Sequence, residues 1–177
     1  MNLEEFYQPA LEFAAAKHKG QNMKSRDCPL LVHVVGVATE VLVASFYTPE
    51  FNTPYAVQMA LLHDTVENSN TSLKEIERKF DKEVAAAVSA LTKAEDLPKQ
   101  VQLQNSLERI KNLPKEVWAV KLADRINSLQ KPPRSWSLQR VIHYFQDACL
   151  IRDMLKGGNK YLEKRLNNRI TDYRKYL

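Results

Sequence analysis

Apolar side chains at Leu3, Phe6, Tyr7, Ala10, Phe13 and Ala14 recur every three or four positions, the spacing of one helix face, and the pattern stops near Gly20. Pro29 opens a second apolar run through Leu31, Val34, Val37, Ala38, Val41 and Leu42. Its β-branched residues would suit a strand, but the run is too long for one and holds no internal turn residue. A helix is expected, central and largely buried because polar positions scarcely interrupt it. Thr53-Pro54 reads as the N-cap and first residue of a third helix through Tyr55, Val57, Ala60, Leu61 and His63 to about Glu67. Ser72-Leu73-Lys74-Glu75 has the capping-box pattern and starts a short helix to Phe80, and Asp81 can cap another through Val84, Val88 and Leu91. The pattern breaks between Thr92 and Lys99. It resumes over Val101 to Lys111 and, after Pro114, over Glu116 to Leu129. Lys131-Pro132-Pro133 is a stop, Ser135 or Ser137 caps a long helix through Val141, Phe145 and Leu150 ending at Gly157-Gly158, and a polar helix follows from Asn159.

These elements predict an all-α chain, a single multi-helix domain over residues 1–177 with no repeat, low-complexity tract or long linker. Composition agrees: of 177 residues 44% are hydrophobic, enough for a continuous core without disulfides, and 4 glycines leave little room for tight turns. The net charge of +5 suits an anionic partner, whether nucleic acid or a phosphorylated small molecule. No run of about 20 apolar residues could span a membrane, and Met1-Asn2-Leu3-Glu4-Glu5 is acidic where a signal peptide is basic, so a cytoplasmic protein is expected. Cys28 and Cys149 are far apart and form no Cys-x-x-Cys pair; they read as reduced thiols rather than a disulfide or a zinc site.

The candidate chemistry begins at His63-Asp64, two metal-competent side chains directly after the apolar stretch of the third helix. Neighbours on a helix point about 100° apart, so both could reach one ion only where that helix meets others that supply further ligands. His33 lies in the apolar second helix, and Asp124 closes Val117-Trp118-Ala119-Val120-Lys121-Leu122-Ala123-Asp124. A shared cation would compensate all four buried polar groups, although each taken alone also fits a hydrogen-bonded core histidine, a buried ion pair or a chance dipeptide. Two imidazoles and two carboxylates suit manganese, iron, cobalt or zinc better than calcium. Such an ion would acidify a water and polarise a phosphoryl oxygen. Glu67, four residues after His63, would share its helix face and could accept the water's proton; Asn68, four after Asp64, can only orient by hydrogen bonds. His18 between two lysines is expected to shape a loop, and His143 has no partner except Asp147 at helical spacing.

The order His33, His63-Asp64, Asp124 is an H…HD…D signature. With Lys17-His18-Lys19-Gly20-Gln21, Gly36-Val37-Ala38, His63-Asp64-Thr65-Val66-Glu67 and Lys121-Leu122-Ala123-Asp124-Arg125 it resembles the hydrolase domain of the RelA/SpoT alarmone enzymes, from about Phe6 to Leu155. The chain is similar to a stand-alone hydrolase, with no stretch for a synthetase or regulatory domain. The resemblance implies a Mn2+-dependent enzyme that removes the 3′-pyrophosphate of guanosine tetra- or pentaphosphate. It implies His33, His63, Asp64 and Asp124 as metal ligands, with Glu67 and Asn68 handling the attacking water. It also implies Lys24, Lys99, Arg140 and Tyr144 on the substrate side.

The departures fall on substrate and proton handling. Asn68 replaces an acidic residue, Met23 replaces the arginine expected to stack on guanine with Arg26 near enough to substitute, and Ser128 stands where an asparagine usually contacts substrate. Another 2′- or 3′-phosphorylated nucleotide such as NADPH, or a nucleotide-binding module without turnover, are the competing readings. Nucleic-acid binding is disfavoured because the basic residues are scattered and lack an aromatic-interleaved motif. The expected partner is a small guanine nucleotide, without nucleic acid or membrane; the sequence specifies no oligomeric state.

Overall fold

The computed structural model describes residues 2–23 and 25–177. Its helices are α1 (Leu3–Lys17), α2 (Leu30–Ser45), α3 (Thr53–Leu62), α4 (Thr65–Asn68), α5 (Leu73–Lys79), α6 (Lys82–Leu91), α7 (Lys99–Lys111), α8 (Lys115–Ser128), α9 (Leu138–Met154) and α10 (Lys160–Tyr173). The all-α expectation is met. Among the described residues the sole β-type pairing is an antiparallel bridge between Asn22 and Pro29, which pins the loop joining α1 to α2.

Three helices form the interior. Ala56 to Leu62 of α3 are buried without a break, as are Val117 to Ala123 of α8, so neither presents a solvent face over those turns. The long apolar run from Leu30 is α2, a helix and not a strand, and it packs on both. α1 covers α3 from outside, and α10 lies across α8 and α9. The last helix is less polar in its role than in its composition: Leu162, Leu166, Ile170 and Tyr173 fall on one face and are buried.

Helix ends follow the local chemistry with three differences. Ser72, Asp81, Ser137 and Asn159 each accept a bond from a backbone N–H two or three residues on, as capping requires. Glu75, however, does not reach back to complete its capping box; its carboxylate pairs with Lys17 at 2.9 Å. α3 is capped by Asn52, whose Oδ1 accepts from the Tyr55 N–H, so Thr53 is already helical. The larger difference is that this helix does not run to Glu67. It ends at Leu62, and His63-Asp64 form a turn before the short α4. That turn lies where α2, α3 and α8 meet.

Candidate metal centre

His33 comes from α2, His63 and Asp64 from the turn that follows α3, and Asp124 from α8. Both histidines are buried, each 4% exposed, with ring centroids 5.4 Å apart. His63 Nδ1 lies 2.7 Å from the carbonyl oxygen of Ala60, an atom that only accepts, so this nitrogen carries the proton and Nε2 presents a bare lone pair. His33 Nδ1 lies 2.8 Å from Asn127 Oδ1, which likewise leaves Nε2 as the inward atom. His33 Nε2 faces Asp124 Oδ1 at 3.4 Å and Asp64 Oδ2 at 3.8 Å, and His63 Nε2 faces Asp64 Oδ1 at 3.4 Å.

Acceptor atoms of His33, His63 and Asp64 therefore converge, with Asp124 beside His33. His63 Nε2 is buried and has no hydrogen-bond partner among the described residues. A buried acceptor without a donor is costly, and a cation shared with the neighbouring groups would satisfy it. One donor atom each from His33, His63 and Asp64 lies within 4.8 Å of the others, close enough to ligate a common ion. The titration of His33 has the same origin: burial lowers its pKa, but the hydrogen bond and charge of Asp124, with the charge of Asp64, outweigh that and raise it. A proton is drawn to the place a divalent ion would take.

Asp124 stands slightly apart. Its Oδ2 is paired with Lys121 Nζ at 3.0 Å, and its Oδ1 accepts from the Ser128 hydroxyl at 3.0 Å. Burial raises its pKa, but Lys121 and the imidazoles of His33 and His63 prevail and hold it well below the usual carboxylate range.

The cluster lies in a cavity of about 820 Å³ whose lining includes Glu67, Asn68, Ser128, Arg140 and Tyr144. Glu67 is not aimed at the cluster. Its carboxylate accepts from both the side chain and the backbone N–H of Lys93, each at 3.2 Å. The backbone oxygen of Asn68 accepts from Gln21, whose own carbonyl holds His18 Nδ1 at 2.9 Å, so His18 is a buried loop-shaping group. Tyr144 donates to the Ser128 carbonyl oxygen, and burial pushes its phenol pKa up.

Two substrate-side expectations, Lys99 and Arg26, are not brought to the cavity. Lys24 lies outside the described residues. Lys99, exposed at the first residue of α7, is not part of the lining. Arg26 turns inward to Met23 Sδ and Asn127 Oδ1 because these soft and carbonyl acceptors lie within its reach, at 3.2 and 3.4 Å. Sequence reasoning in turn missed Lys93, Arg125, Trp136 and Lys121, all of which line the cavity. Arg125 lies over the Tyr144 ring at 4.5 Å and Arg140 over Trp136 at 4.2 Å, giving one wall made of cations on aromatic faces. Lys121 stands at helical spacing from Asp124, a signal that could have found it, and Arg125 directly follows Asp124; Lys93 and Trp136 sit in loop positions that carry none.

A pattern for the HD domain matches residues 10–141. The chain belongs to the HD-domain family. Proteins similar to it include the guanosine-3′,5′-bis(diphosphate) 3′-pyrophosphohydrolase MESH1 of Xenopus tropicalis, 36% identical over 168 residues that cover 92% of each chain. The human protein of that name is 34% identical, with 90% of this chain and 89% of the relative covered. Among solved structures, a metazoan orthologue of SpoT that hydrolyses ppGpp superposes with a TM-score of 0.81 at 30% identity over 97% of both chains. A Listeria monocytogenes protein shares the fold at a TM-score of 0.64 and 20% identity.

Proposed function

We propose that this HD-domain protein is a metal-dependent hydrolase that removes the 3′-pyrophosphate of guanosine tetra- or pentaphosphate, yielding GDP or GTP and pyrophosphate. The observation that carries this reading is a cluster of two imidazoles and two carboxylates in a cavity whose wall is cationic, in a chain with relatives of that named activity. His33, His63, Asp64 and Asp124 would hold the ion, and Mn2+ is the one proposed because mixed nitrogen and carboxylate donors suit it. When bound, such an ion lowers the pKa of a water and polarises a phosphoryl oxygen.

The chain's own residues supply the rest. Glu67, at the cavity edge, accepts the proton of the attacking water once Lys93 shifts from its carboxylate toward a substrate phosphate. Asn68 beside it orients by hydrogen bonding and carries no proton. Arg125 and Arg140, held on Tyr144 and Trp136, and Lys121 on α8 offset the charge of the pyrophosphate as it leaves. Ser128 and Tyr144 complete the substrate side. None of the described helices is long and apolar enough to cross a membrane. We place the reaction in the cytoplasm, where the free thiols of Cys28 and Cys149 stay reduced.

Manganese-loaded protein incubated with guanosine tetraphosphate is expected to release pyrophosphate, with Asp64→Ala as the blank. Release of orthophosphate alone, or preference for NADPH in a parallel reaction, overturns the substrate assignment.

A further inference from the structure

Asn127 stands on α8, three residues after Asp124, and its side chain crosses to α2. Its Oδ1 lies 2.8 Å from His33 Nδ1 and 3.4 Å from a terminal nitrogen of Arg26. A guanidinium only donates, so the atom facing it is the carboxamide oxygen and not its nitrogen. His33 must then donate from Nδ1 to that same oxygen. The Nε2 lone pair is left to point at Asp64 and Asp124.

The other end of the carboxamide explains a glycine. Gly36 sits in the interior of α2, where glycine costs about 1 kcal/mol relative to alanine. A Cβ built on Gly36 would come 2.3 Å from Asn127 Nδ2. The missing methyl is the space that the Asn127 amide occupies, one turn along the helix from His33. Asn127 also fills the variable position in the Asp-Arg-Leu-x-Asn pattern that the chain resembles, while Ser128 takes the place of the usual asparagine.

We propose that Asn127 is a positioning residue that fixes the tautomer and aim of His33, and that Gly36 is the opening that admits it. This rests on the metal reading of the site. An imidazole with no acceptor at Nδ1 can carry its proton on Nε2 or turn in its socket, and either change withdraws the lone pair from the ion. Removing a partner of this kind commonly costs about 10–100-fold in metal affinity.

Calorimetric Mn2+ titration of the wild type, Asn127→Ala, Gly36→Ala and the double variant tests the proposal. Each single change is expected to weaken binding about 10–100-fold. The double variant is expected to be no weaker than the worse single one, because both remove the same contact. Gly36→Ala meets only the tip of a flexible side chain, so its fold is expected to survive. Long-range 1H–15N NMR of the metal-free protein at alkaline pH should show His33 as the Nδ1–H tautomer in the wild type and as a mixture in both single variants. Variants that bind Mn2+ within about twofold of a binding wild type, additive losses in the double variant, or a wild-type Nε2–H tautomer each overturn the role of Asn127. A wild type that binds no Mn2+ removes the metal reading itself.

Discussion

Glu67 and Asn68 stand beside the cluster, where their spacing from His63-Asp64 suggested a shared task. Both line the cavity, yet Glu67 is clasped by Lys93 and neither belongs to the three-residue donor group. Glu67→Gln keeps the shape and removes the base, so kcat is expected to fall about 10²–10⁴-fold while calorimetric Mn2+ affinity stays unchanged. A matching loss of metal affinity would make Glu67 a ligand instead. Asn68→Asp restores a second proton-carrying group at the rim and is expected to raise kcat with Mn2+ affinity intact, read by steady-state pyrophosphate release. An unchanged or lower rate would separate the amide from the rate. The candidate ligands were singled out in sequence because histidine and aspartate in apolar helices demand a partner. The cation wall was less legible, since an arginine lying over an aromatic ring looks in sequence like any surface arginine.

At the scale of elements, local chemistry decided most boundaries. Proline, serine, aspartate and asparagine at the starts, and glycine beyond the ends, act through neighbours a few residues away, and α1, α2, α6 and α10 fall where the pattern puts them. The break between α3 and α4 was invisible because Leu61 to Glu67 contains no glycine or proline; the turn is held by His63 Nδ1 and the Thr65 hydroxyl, which donate to the carbonyl oxygens of Ala60 and Leu62. Contacts between elements also set a pH response. Burial, with the carboxylates of Glu83, Asp81 and Glu116, pushes the Tyr55 phenol up to about 12. The folded chain thus prefers the neutral phenol: this contribution to stability is whole below the unfolded value of about 10 and is lost as pH rises toward 12. Tyr173, buried under α9, is likewise pushed up to about 12. Tyr55→Phe removes its share, so urea midpoints followed by circular dichroism should fall less steeply between those pH values than in the wild type. An identical slope would assign the alkaline loss elsewhere.

For the whole molecule, the candidate metal centre lies where α2, the end of α3 and α8 meet, the three helices that form the interior. An ion bound there stabilises the fold by mass action: about 2.7 kcal/mol at a hundredfold excess over Kd. For a chain of this length that is a rise in Tm of about 5–10 °C. Differential scanning calorimetry with Mn2+ and after chelation checks it, and His63→Ala should abolish the difference. A chelator-insensitive Tm would mean that the helices hold the cluster together without the ion. The sequence by itself determined the helical architecture, the central place of α2 and the identity of the four candidate ligands. Those follow from periodicity and from the cost of burying polar groups, and both act residue by residue. Only the tertiary structure decided which way each imidazole points, that Asn127 fills the space left by Gly36, that Arg26 turns inward and that Lys93 holds Glu67. These depend on atoms brought together from distant parts of the chain, and hydrogen-bond direction is fixed only when both partners are in place.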